Sequence, residues 1–333
     1  MSEKAIVLCP GQGAQAVGMG RAWAEGSAAA REVFDRADAV LGSRLGSPLS
    51  VLCFDGPAET LNRTDVSQPA IYACSVASWR GLAEARADAA WDVVAAAGLS
   101  LGEYTALHIA GVISFEDGLE LVTLRGRAMQ DAAEAQPSGM LALIGCDEEQ
   151  ANAVCEAARH DGVLVCANFN APGQVVLSGD ADAIARAEAA AKEAKLRATP
   201  LPVAGAFHSP LMEPAADRLA EALAATRLDF KALQARPVYS NVTAQPHEHD
   251  ADSVRRRLTE QLTHPVRWAQ SCLNMIEAGL GHGASWHETA PGKSLAGMMR
   301  RIDRGVSVAS HDTPTEGCIP RIAARVTTPR MGP

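Results

Sequence analysis

Apolar residues recur along the chain in two alternating rhythms. "KAIVLCP" is a short apolar run stopped by Pro10, which predicts a strand, and the glycine-bearing "GQGAQ" after it reads as a loop. "AWAEGSAAAREVFDRADAVLG" then carries helical spacing. "SQPAIYACSVASWRGLAEA" predicts a helix opening at Pro69, since proline is tolerated in a first turn. "AAWDVVAAAG" is apolar without alternation, as expected of a strand covered on both faces. "LGEYTALHIAGV" and "FEDGLELVTLRGRAMQDAAEA" again repeat with a helical period. Strands alternating with helices in this way predict a parallel sheet with helices on both sides.

The rhythm changes near residue 137. "GMLALIG" is a strand, "DEEQANAVCEAARH" a helix, and "GVLVCANFN" and "GQVVLSG" are strands. "DADAIARAEAAAKEA" is a helix and "LRATPLPV" a strand. The order β-α-β-β-α-β is that of the ferredoxin-like unit. The chain therefore divides into a larger α/β core made of residues 1–133 and 203–312, with residues 134–202 inserted as a smaller subdomain. The stretch 313–333 is rich in Pro, Thr and Arg with little periodicity, and is expected to be poorly ordered.

Composition narrows the field without deciding it. The 333 residues are 47% hydrophobic and 21% charged, ordinary for a water-soluble chain, and aromatics supply only 4%. A net charge of −9 argues against nucleic acid or an anionic membrane as partner. No stretch approaches the length of a membrane span, and the N-terminal apolar run is too short for a signal peptide. The eight cysteines include no C-x-x-C pair and are expected to be reduced thiols of a cytoplasmic protein.

The candidate chemistry centres on "GLSLG", a G-x-S-x-G pattern lying between the 89–98 strand and the helix that follows. A serine on a sharp strand-to-helix turn is exposed for attack, and the Leu101 N–H at the helix start lies where partial positive charge favours an oxyanion. The competing reading is an ordinary helix-capping serine. A serine nucleophile needs a base. Of nine histidines, His208 in "VAGAFHSPLM" is placed best, in a short loop before a proline-started helix; spacing alone leaves a purely structural loop histidine open. His247 and His249, in "PHEHD", read as a solvated loop. Arg125 falls on the apolar face of its helix, so an anionic partner is expected, either an internal carboxylate or a substrate carboxylate. "CPGQGAQ" lacks the lysine and spacing of a phosphate loop, and fits better as a loop packed against the serine, with the Gln12 N–H as a second oxyanion donor.

Together these pieces resemble the malonyl-CoA:acyl carrier protein transacylase family of fatty-acid synthesis and the related acyltransferase domains of polyketide synthases. The matches run in order over about 300 residues: "PGQGAQ", "DVSQPAIYACSVA", "GLSLGEYTAL", "LRGRAMQ", "NAPGQVVLSG", "FHSPLM", "SNVTAQP", "HPVRW" and "APGKSLAGMM". The resemblance implies an α/β-hydrolase-like core with the ferredoxin-like insert. It implies Ser100 as acyl-accepting nucleophile, His208 as general base oriented by a backbone carbonyl near Gln261, and Gln12 and Leu101 as oxyanion donors. Arg125 would hold the malonyl carboxylate, Asn170 would line the pocket, and Phe207 would leave little room for a methyl branch. Leu99 stands where most members have histidine, so it bears on acyl selectivity, and "TAPG" replaces the usual glycine-proline-glycine. The implied partners are malonyl-CoA and holo acyl carrier protein, with no cofactor or metal and a monomeric enzyme. Three rivals remain at this level: a serine hydrolase or thioesterase, an acyltransferase of a polyketide pathway, and an inactive scaffold that only docks the carrier.

Overall fold

A computed structural model describes residues 3–86, 91–280 and 283–314. Among these residues the chain forms nine strands in two sheets. In chain order they are β1 (Lys4–Cys9), β2 (Asp92–Gly98), β3 (Ser138–Ile144), β4 (Leu164–Ala171), β5 (Gln174–Asp180), β6 (Arg197–Pro200), β7 (Val238–Tyr239), β8 (Ser285–Thr289) and β9 (Val308–His311).

The larger sheet has the order β7-β2-β1-β8-β9, and every neighbouring pair is parallel. Ala5 to Cys9 on β1 are fully buried, because helices cover both faces. β9 completes the sheet from a stretch of the 203–312 core for which no strand is predicted above. The register sets Cys9 beside Gly98, so β1 and β2 end together. That common end carries the loop after β1 and the turn after β2, where open α/β sheets place their sites.

The smaller sheet is antiparallel with the order β4-β5-β3-β6, the ferredoxin-like arrangement of the β-α-β-β-α-β run. Its helices, Glu148–Arg159 and Ala181–Glu193, start at Asp147 and Asp180, whose carboxylates accept the first free N–H groups. Alternation along β3 divides its side chains between two cores. Leu141 and Leu143 join Leu164, Val175 and Leu177 under the subdomain's own helices, whereas Met140 and Ala142 face the main core. β4 is tied back to the larger domain by hydrogen bonds of Phe169 N to Val266 O (2.9 Å) and Val266 N to Ala167 O (2.8 Å). That attachment fixes the subdomain over the end of β2.

The helix expected to open at Pro69 instead runs Thr64–Ala85. Its first N–H, at Thr64, donates to the Gln130 side chain (3.1 Å), and Asp65 lies in the first turn. A cap supplied from another helix leaves no mark in the local sequence, where the proline is the visible start signal. Seven of the cysteines are described, all as free thiols; Cys318 and the tail expected to be poorly ordered lie outside the described residues, Thr313 and Pro314 apart. No helix among the described residues is long and apolar enough to cross a membrane.

Candidate active site

The turn after β2 is built by the absence of two side chains. A Cβ on Gly98 would run into the backbone of Gly102, and one on Gly102 would meet the Cys9 carbonyl. Only glycine at both places lets β2, the turn and the helix Gly102–Ala110 pack so closely against the end of β1. Ser100 between them is held at a φ of 52°, a left-handed conformation that costs a non-glycine residue free energy. Asn241 holds it there. Its Oδ1 accepts the Ser100 N–H (2.6 Å) and its Nδ2 donates to the Gly98 carbonyl (2.7 Å), so one side chain clamps both sides of Leu99.

His208 meets this turn from the loop before the helix Glu213–Ala225, itself at a φ of 57°. The Ser100 hydroxyl and His208 Nε2 are 2.8 Å apart. His208 Nδ1 is 2.7 Å from the Gln261 carbonyl. A carbonyl only accepts, so the ring proton sits on Nδ1, and Nε2 is left bare to accept the serine O–H. The ring is 4% exposed, and burial, reinforced by the Arg125 charge, lowers its pKa to about 4. The backbone hydrogen bond to Gln261 only partly opposes this. His208 is therefore neutral near pH 7, the form a base requires.

Arg125 comes from the helix Phe115–Ala135, whose start is capped by Ser114. Its side chain is buried, and it forms no ion pair with any described carboxylate, so an internal salt bridge does not account for it. Nη1 donates to Gln68 Oε1 (2.7 Å), and Nη2 donates to Ser100 Oγ (3.0 Å) and Gln261 Oε1 (2.9 Å). The Nε–H has no acceptor among the described residues. Desolvation lowers its pKa, opposed by Tyr104 and Glu103. A buried guanidinium with an N–H unpaired among the described residues, beside a serine hydroxyl, has the chemistry to receive an anion.

Above these groups opens a cleft of about 530 Å³ between the two sheets. Gln12, Leu99, Ser100, Phe207, His208 and Asn170 line it, whereas Arg125, Leu101 and Gln261 lie behind its wall. The Gln12 and Leu101 N–H groups have no acceptor among the described residues, while the next N–H groups, of Gly13 and Gly102, donate within the chain. Asn170 Oδ1 is buried without a partner among the described residues.

Some of the constellation carried no recognised signal. Gln68, Asn241 and the Gln261 side chain have no mark of their own in the sequence, because an amide shows its use only through its partner. His247, expected in a solvated loop, is 3% exposed and lies 2.6 Å from Glu103. The polar run "PHEHD" hid this: His249 is exposed, but His247 follows β7 back under the sheet end, its N–H donating to the Val238 carbonyl.

Comparison with known proteins agrees with this architecture. The acyl transferase domain family matches residues 6–287. The malonyl CoA-acyl carrier protein transacylase of Salmonella typhimurium is 41% identical, the match covering 91% of this chain and 93% of the relative. The crystal structure of the malonyl-CoA:acyl carrier protein transacylase of Xanthomonas oryzae superposes with a TM-score of 0.86 at 39% identity, covering 94% of this chain and 96% of that one. A malonyl-transacylase in complex with its holo acyl carrier protein of a type II polyketide synthase has a TM-score of 0.87 at 38% identity, covering 96% and 98%. With this identity over nearly the whole length, and a two-sheet fold closing over Ser100, the chain belongs to the malonyl CoA-acyl carrier protein transacylase family.

Proposed function

We propose that this enzyme moves a malonyl group from malonyl-CoA to the phosphopantetheine thiol of holo acyl carrier protein through a malonyl-Ser100 intermediate, in the supply of fatty-acid synthesis. The observation that carries the reading is the placement of Ser100 Oγ between a neutral histidine at 2.8 Å and a buried arginine at 3.0 Å. His208 Nε2 accepts the serine proton as Oγ attacks the thioester carbonyl. The Gln261 carbonyl holds the ring in the needed tautomer and stabilises the imidazolium that forms. The free N–H groups of Gln12 and Leu101 receive the oxyanion. His208 returns its proton to the departing CoA sulfur. It then takes the proton of the carrier's pantetheine thiol as the sulfur attacks the malonyl ester, and passes it to Ser100 Oγ as the acyl–oxygen bond breaks, which restores the serine hydroxyl and the neutral ring.

Arg125 selects the acyl group. A malonyl carboxylate meets Nε–H and the adjoining Nη2 in a bidentate pair, whereas acetyl-CoA leaves the buried cation without its anion. Leu99 and Phe207 bound the acyl site, and Asn170 offers an unpaired acceptor to an amide N–H of the pantetheine arm. Every group that this scheme uses comes from one chain.

Intact-protein mass spectrometry tests the proposal. After brief mixing with malonyl-CoA, a malonyl adduct is expected on the Ser100 peptide, and addition of holo carrier protein moves it to the carrier. An adduct that decays equally fast without carrier identifies a hydrolase instead, and no adduct at all removes Ser100 from the chemistry.

A further inference from the structure

Behind the reacting groups lies a carboxylate that no step above uses. Glu103 sits on the helix Gly102–Ala110, three residues past Ser100, and its side chain and that of His247 are wholly enclosed. Oε1 lies 2.6 Å from His247 Nε2. Oε2 accepts from Gln261 Nε2 (2.6 Å) and from the Asn241 backbone N–H (3.2 Å). Glu103 makes no ion pair with Arg125. Gln261 stands between them, its Nε2 also donating to the Ser100 carbonyl (3.0 Å) and its Oε1 accepting from Arg125 Nη2 (2.9 Å).

A side-chain amide can sit in either of two senses. A carboxylate only accepts and a guanidinium only donates. Between such neighbours a single sense satisfies both, with the NH2 toward Glu103 and the oxygen toward Arg125. The reversed amide would set oxygen against the carboxylate and NH2 against the guanidinium, losing two charge-assisted hydrogen bonds at once. We propose that Glu103, held by His247, is a positioning residue for acyl selectivity: it fixes the sense of the Gln261 amide and so aims the Arg125 guanidinium at the site of the acyl carboxylate. This rests on the reading of Arg125 as the malonyl receptor.

The test compares wild type, Glu103→Gln, Arg125→Ala and the double variant. Rates of enzyme acylation by malonyl-CoA and acetyl-CoA are measured, each normalised to the fraction of reactive Ser100. A glutamine at 103 can meet the Gln261 amide in either sense, which leaves the choice to the Ser100 carbonyl and Arg125 without the carboxylate's charge. The malonyl-to-acetyl ratio of kcat/KM is expected to fall at least tenfold in Glu103→Gln, and no further in the double variant than in Arg125→Ala alone. A Glu103→Gln protein that keeps the ratio within twofold, while losing rate equally on both substrates, would make Glu103 scaffold only and overturn the inference. An unchanged ratio in Arg125→Ala would overturn the receptor reading first, and the inference with it, so the two failures are distinct. Should Glu103→Gln not fold, His247→Leu, which removes the donor to Oε1, is read the same way. A threefold or greater fall in the ratio supports the inference, and an unchanged ratio overturns it.

Discussion

The two sides of the cleft differ in kind. The floor, from the parallel-sheet domain, carries Ser100, His208 and Arg125, with Glu103 beneath, wired together by hydrogen bonds of 2.6–3.0 Å. The roof, from the antiparallel subdomain, contributes Met140, Asn168, Asn170 and Val176, none of them ionisable. The floor is over-determined: Ser100 alone is held through its N–H, its carbonyl and its hydroxyl. The roof is tied down by the pairing of β4 with Val266 and presents apolar surface and the unpaired Asn170 amide oxygen. The ionisable groups and the acyl-selecting arginine thus come from one piece of chain, and the neutral surface that covers them from another. Rigidity is placed where proton transfer needs it, and shape where a long pantetheine arm must slide in.

Substitutions on the two sides should therefore fail differently. Ser100→Ala is expected to reduce transfer by roughly 10⁴-fold or more with an unchanged melting temperature, since removing a nucleophile removes the path itself. Arg125→Ala is expected to lower the malonyl-to-acetyl preference about a hundredfold, equivalent to ~3 kcal/mol for a lost buried charge pair. Steady-state competition between the two thioesters measures it, and full retention of malonyl preference would remove the floor's claim to specificity. The pH dependence of Ser100 acylation follows from His208. Its pKa is lowered, so the base stays unprotonated as pH falls through 6.5, and the rate should decline only with a midpoint near about 4. A midpoint at the ordinary histidine value of ~6.5 would mean the ring is not desolvated as described. On the roof, Asn170→Ala is expected to raise KM for malonyl-CoA by about three- to tenfold with kcat nearly unchanged, the loss of about 1 kcal/mol from one hydrogen bond. A collapse of kcat instead would erase the division between the two sides.

What the sequence made legible follows the same division. The strand and helix periods convey the parallel sheet and the inserted β-α-β-β-α-β unit because each rests on local pattern. The Ser100 turn is visible because both glycines and both flanking elements lie within a few residues. The groups that hold it are not. Asn241 reaches Ser100 across 141 residues of chain, and Gln261 across 161. Neither amide has a periodicity or charge to mark it. Gln130 hides the true start of the Thr64–Ala85 helix for the same reason. Likewise, polar neighbours make His247 look solvated when tertiary contact buries it against Glu103.

The most direct measurement is a crystal structure of the enzyme trapped as its malonyl ester, prepared with malonyl-CoA in the absence of carrier protein. The account expects malonyl on Ser100 Oγ, its carboxylate within hydrogen-bond distance of Arg125 Nε and Nη2, and its ester oxygen facing the Gln12 and Leu101 N–H groups. A carboxylate turned toward the mouth of the cleft, with Arg125 still bound only to Gln68 and Gln261, would contradict it.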